Sequence, residues 1–155
     1  MKKLIFIVSL TCSLCFAQSA NQNFNAYTHS LMDEAKRLTN TNEQIPMPSF
    51  EPTTSEYMAS LFCKQDKNCP DVNAIYINNT IFFKKDLPLN DFYTKSVLIH
   101  ELIHHIQITS GHRPINCDVW YKNESQAYQL QAKYLKSNKQ PYLFVENSFS
   151  NIKCP

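Results

Sequence analysis

Residues 96–107, SVLIHELIHHIQ, set His100, Glu101, His104 and His105 inside a run of Val, Leu and Ile. On a helical wheel at about 100° per residue with His100 at 0°, Leu98, Leu102, Ile106, Ile99 and Ile103 fall between about 160° and 300°, one broad core face. His104 then lies at about 40° and Glu101 at about 100°, so His100 and His104 stand one turn apart, opposite that face. The simplest reading is an amphipathic helix with a solvated polar side on which Glu101 and His105 make an ordinary i, i+4 pair. Val97 and Ile108, at about 60° and 80°, weaken it, because they flank the histidines with apolar surface. Imidazoles at i and i+4 can also aim a ring nitrogen each at one cation about 2.0–2.1 Å away, leaving the intervening glutamate free to reach a bound water.

Working outward, Asn90 or Asp91 offers an N-cap, and the spacing predicts a helix over 92–109. Gly111, the only glycine, can supply its left-handed stop and Pro114 prevents resumption. Upstream, NAIYINNTIFFKK (73–85) holds two short runs rich in Ile, Tyr and Phe, separated by Asn78 and Asn79, which tolerate positive φ. This predicts a β-hairpin. Tyr27, Leu31, Met32, Ala35 and Leu38 recur at helical spacing over 24–38, NTNEQIPMPSFEPT ends that helix, and a short helix is expected near 55–62. A last helix is expected over 118–136, followed by an irregular or weakly extended tail. The fold class is therefore α+β, mainly helical, with a small antiparallel hairpin or sheet before the histidine helix.

The last helix carries a second oddity. With Glu124 at 0°, Trp120, Ala127, Tyr128, Gln131 and Leu135 fall within about 60°, whereas Lys122, Gln126, Gln129, Lys133 and Lys136 take the far side. A carboxylate at the centre of the apolar face needs a cation or must stay protonated. Arg113 is one possible partner. A metal held by His100 and His104 answers both oddities together: two histidines, one carboxylate and an open fourth position form the ligand set of catalytic zinc.

The N-terminus, MKKLIFIVSLTCSLCFAQSANQ, has two lysines, an apolar run from Leu4 to Phe16, then small and polar residues. This predicts a signal peptide over 1–17, cut after Ala17 or as a second choice after Ser19, and one exported domain over 18–155, secreted or periplasmic. Thr11 and Leu14 are too bulky before Cys12 and Cys15 for lipoprotein processing. Without Lys2 and Lys3 the basic residues fall from 15 to 13 against 13 acidic ones, so nothing points to nucleic acid or to an anionic membrane. Cys63, Cys69, Cys117 and Cys154 remain after cleavage and read as two disulfides, with Cys63–Cys69 and Cys117–Cys154 favoured among three pairings. No two of these four are spaced as CxxC, which argues against a cysteine zinc site.

HExxH followed, after 19 intervening residues, by a helical Glu resembles the gluzincin metallopeptidases of the thermolysin type. HELIHHIQ and CDVWYKNESQAYQLQAKYL also look like a family of small secreted bacterial proteins of unassigned function. Over roughly Ala74 to Leu135 the resemblance implies a zincin-like subdomain with one Zn2+ held by His100, His104 and Glu124, Glu101 as general base, and a peptide or protein as substrate. The alternative is a latent or non-catalytic zincin used as a secreted binding module. The chain departs from the motif where Tyr128 replaces an Asp that orients a histidine ligand. The resemblance leaves the oxyanion-stabilising residue among His112, Tyr121 and Tyr128. The metzincin register fails, since Gln107 and Ser110 stand where a Gly and a His are required.

Overall fold

The computed structural model describes residues 12–63, 71–143, 145 and 154, and among them no helix is long and apolar enough to cross a membrane. The chain divides into two compact units, 1–30 and 31–155. Helix α1 (Cys12–Thr39) begins in the first and ends in the second. In the first unit the Thr28 hydroxyl donates to Asn25 O at 3.0 Å and Phe24 lies 6.3 Å from Tyr27. The helix is longer than its apolar spacing predicts, because residues 12–23 continue it.

The second unit adds β1 (Ser49–Thr53), α2 (Ser55–Cys63), β2 (Ala74–Ile77), β3 (Thr80–Lys84), α3 (Phe92–Thr109) and α4 (Cys117–Ser137). The expected hairpin is present: Asn78 and Asn79 take φ of 47° and 65°, the two positive values a tight two-residue turn requires. The sheet is nevertheless mixed, not antiparallel throughout. Its order is β1-β3-β2, with β1 running parallel to β3 and Phe50 opposite Ile81. SFEPT has no two-residue alternation and contains Pro52, so it lacks a strand signature; an edge strand tolerates that proline. Ile81 and Phe83 point from the central strand into the core.

Asp91 caps α3 by accepting Thr94 N–H at 3.0 Å, and Gly111 takes φ 89° just beyond its end. Leu98, Ile99, Leu102 and Ile103 are fully buried as the wheel requires. The histidine side, however, is not solvated. α3 packs against α4 as well as β2 and β3, so His100, Glu101, His105 and Gln107 are buried too. α4 starts one residue earlier than expected, with Asn116 accepting Val119 N–H at 3.0 Å, and carries Ala127, Gln131 and Leu135 into the core. In the tail, residues 138–142 are turn or irregular as expected, whereas residues 143 and 145 are helical, and Val145 is buried. Cys117 and Cys154 form the expected disulfide, with Cα atoms 5.6 Å apart. The other expected pairing depends on Cys69, which lies outside the described residues.

Candidate metal centre

α3 and α4 meet as a helical hairpin whose connection is pinned from both sides. His112 N–H donates to Gln107 O at 2.8 Å, and Asn123 Nδ2 donates to His112 O at 2.7 Å. Farther along, Gln131 Nε2 donates to Ser96 Oγ at 3.0 Å, a buried bond between the two helices. Across this hairpin Glu124 faces the histidine pair. His100 Nε2 lies 3.0 Å from His104 Nε2; Glu124 Oε1 lies 3.1 Å from His104 Nε2 and Oε2 lies 3.5 Å from His100 Nε2.

Three donors at these separations suit one cation. A tetrahedral ion with ligands at about 2.0–2.1 Å spaces them about 3.3 Å apart, and the observed edges bracket that value. His100, His104 and Glu124 could therefore hold a metal ion. The donor chemistry, two imidazoles and one carboxylate, fits a divalent transition metal, zinc included. Among the described residues no Lys or Arg pairs with Glu124, and Arg113 is exposed, so the partners of this carboxylate are the two imidazoles.

Electrostatics follow the same geometry. Burial would raise the Glu124 carboxyl, but hydrogen bonds from His100 and His104 and their charge override it and hold it at about 2. For His104, burial acts downward, and the Glu124 contact outweighs it, so its proton is held more tightly than in water. In the absence of metal Glu124 and His104 each favour the charged form of the other.

Glu101 stands apart from the donor set. Its Oε2 accepts Tyr76 N–H at 2.9 Å, from the outer edge of β2. Burial pushes its carboxyl above the ordinary carboxylate range, with Glu124 adding repulsion and both histidines opposing. The Glu101–His105 pair of the plain amphipathic reading does not form; each side chain makes different contacts. His105 is wholly buried, its Nε2–H donating to Pro46 O at 2.7 Å and its Nδ1 lying 3.1 Å from the Tyr76 hydroxyl. A carbonyl can only accept, so Nε2 carries the proton and Nδ1 receives the phenol. Tyr76 is thus gripped twice by α3, by Glu101 at its amide and by His105 at its hydroxyl.

Of the three oxyanion candidates, Tyr128 alone is seen against a donor, with its ring 4.5 Å from that of His100 in an edge contact. Burial, with Glu124 and Glu101 adding, raises its phenol, which stays protonated. His100 Nδ1 is buried without a hydrogen-bond partner, as expected where a tyrosine replaces the orienting Asp. Tyr121 accepts Cys154 N–H at 3.3 Å, beside the disulfide, and His112 is exposed in the interhelical loop. A cavity lined by Thr53, Thr54, Ser55, Glu56, Lys85 and Asp86 lies at the start of α2 and contains none of these residues.

Sequence reasoning missed Gln107. Its Oε1 lies 2.9 Å from His104 Nδ1, while its Nε2 donates to Asn123 O at 3.1 Å and to Gln126 Oε1 at 2.9 Å. The available signal was a polar residue three positions after the second histidine, on the same face. In comparisons with known proteins, no family model, no curated protein and no solved structure matches the chain.

Proposed function

We propose that this is a secreted or periplasmic zinc-dependent hydrolase of gluzincin-like, zincin-type architecture, acting on peptide or protein substrates. The observation that carries the reading is a buried His100–His104–Glu124 donor set with a second carboxylate, Glu101, beside it and outside it. When bound there, zinc supplies Lewis acidity, lowering the pKa of water toward neutrality and polarising a carbonyl oxygen. His100, His104 and Glu124 hold the ion. Glu101 accepts the proton of the attacking water and returns it to the leaving amine, a role favoured by burial that lifts its affinity for protons.

The Tyr76 amide occupies Glu101 Oε2 and orients the carboxyl. Because Tyr76 N–H points to Glu101, the polar groups of Tyr76 face away from β3. An extended peptide pairing along this edge of β2 would pass beside Glu101. The disulfide and the signal-like N-terminus support an oxidising compartment. A second reading, a zinc-holding module without hydrolysis, draws support from the unpartnered His100 Nδ1, since histidine ligands usually donate that proton to a fixed acceptor.

Glu101→Gln tests the two readings. The variant keeps size and hydrogen-bonding ability but loses basicity, so zinc content by elemental analysis should match the parent. Hydrolysis of a mixed peptide library should fall by about 10²- to 10⁴-fold. A zinc-loaded variant cleaving at the parental rate refutes the role of Glu101, and a zinc-loaded parent that cleaves nothing leaves the binding module.

A further inference from the structure

Gln107 is 5% exposed and uses both ends of its amide. Its orientation is fixed by its neighbours: Asn123 O can only accept, so the nitrogen must face α4 and Oε1 must face His104. His104 Nδ1 therefore carries the proton donated to Oε1, and in the neutral ring Nε2 presents its lone pair toward His100 and Glu124. Asn123, whose carbonyl the amide holds, is the residue immediately before Glu124. Two donors from different helices are thus referred to one side chain.

We propose that Gln107 is the positioning residue of this centre: one amide sets which nitrogen of His104 faces the donor set, and the same amide fixes the peptide preceding Glu124 against α3. The inference rests on the metal reading above and adds a separate claim, that ligand placement is set by a neutral amide and not by the carboxylate usual beside histidine ligands. Tyr128 has its ring on His100, whereas His104 Nδ1 is met by Gln107 Oε1. Gln131 provides the comparison within the same interface. It too is a buried amide spanning α3 and α4, but its hydrogen bond goes to Ser96, one turn before His100, and not to His104 or Asn123.

The test uses the exported protein, stripped of metal and titrated with Zn2+ against a chromophoric chelator, alongside Gln107→Met and Gln131→Met. Both substitutions keep side-chain length and remove an interhelical amide. Gln107→Met should raise the zinc dissociation constant about 10- to 100-fold, whereas Gln131→Met should lower thermal stability and leave zinc affinity within about threefold of the parent. Nitrogen NMR of the zinc-loaded parent, which needs no variant to fold, should show His104 protonated at Nδ1 and metal-bound at Nε2. Equal affinity losses in the two variants, parental affinity in Gln107→Met, or metal at His104 Nδ1 would overturn the inference while leaving the metal reading intact. A parent that takes up no zinc overturns both.

Discussion

In metal-stripped protein, Glu124→Gln should produce a stability loss that rises and falls with pH, because the carboxylate and the His104 imidazole stabilise the fold most while both carry charge. The folded-state carboxyl lies at about 2 instead of 4.5. At about 1.4 kcal/mol per pH unit, that difference is on the order of 3 kcal/mol, with the modest exposure of the side chain making this an upper figure. A depressed carboxyl stabilises above its unfolded value and loses the contribution as pH falls through its folded one, so the loss should shrink between about pH 4.5 and 2. His104 has the opposite sign. Its raised affinity for protons stabilises below its unfolded value of 6.5, and the contribution disappears as pH climbs through the folded value. The gap between parent and variant is therefore widest between about pH 4.5 and 6.5. Thermal melts in that window should separate by on the order of 10 °C, at about 2–4 °C per kcal/mol for a domain of this size, and converge near pH 2. Unfolding midpoints that differ by the same amount at pH 2 and pH 6 would refute the ion-pair assignment.

His100→Ala, His104→Ala and Glu124→Ala should each abolish stoichiometric zinc uptake in a chelator competition, and the stabilisation that added zinc gives the parent should vanish with it. His105→Ala should keep zinc, since its nitrogens face Pro46 and Tyr76, yet lose roughly 2–4 kcal/mol in denaturant melts from a cavity and two broken hydrogen bonds. Zinc loss in that variant would mean the donor set is misassigned. Cys154→Ser opens a link between residues 37 apart and should cost up to about 4 kcal/mol on the chain-entropy model; an unchanged melt under non-reducing conditions would count against the bridge as a stabilising element.

The bounds of α3 and the hairpin could be read from the chain because their signals are local: a cap at Asp91, a stop at Gly111, and two asparagines able to take positive φ. Glu124 was legible for a different reason, a charge at the centre of an apolar stripe. β1 was not legible, since SFEPT acquires its strand character only from pairing with β3. Nor was the role of His105. The wheel sets it near 140°, between polar and core faces, and only the arrival of Pro46 and Tyr76, far away in sequence, makes a buried, hydrogen-bonded imidazole of it. Gln107 was passed over because a glutamine three residues after a histidine has no meaning until Asn123 is placed opposite it.

The double hold on Tyr76 separates two properties that a single site might be expected to share. Every cation donor belongs to the α3–α4 hairpin, whereas the carboxyl proposed as base is anchored by a strand from elsewhere in the chain. Substitutions in β2 or β3 would move Glu101 without shifting a donor, and substitutions in α4 would move a donor without releasing Glu101. Over evolutionary time, then, descendants of this chain can lose the anchor of Glu101 by drift in the sheet and still inherit the three donors, or alter the donors while Glu101 keeps its anchor.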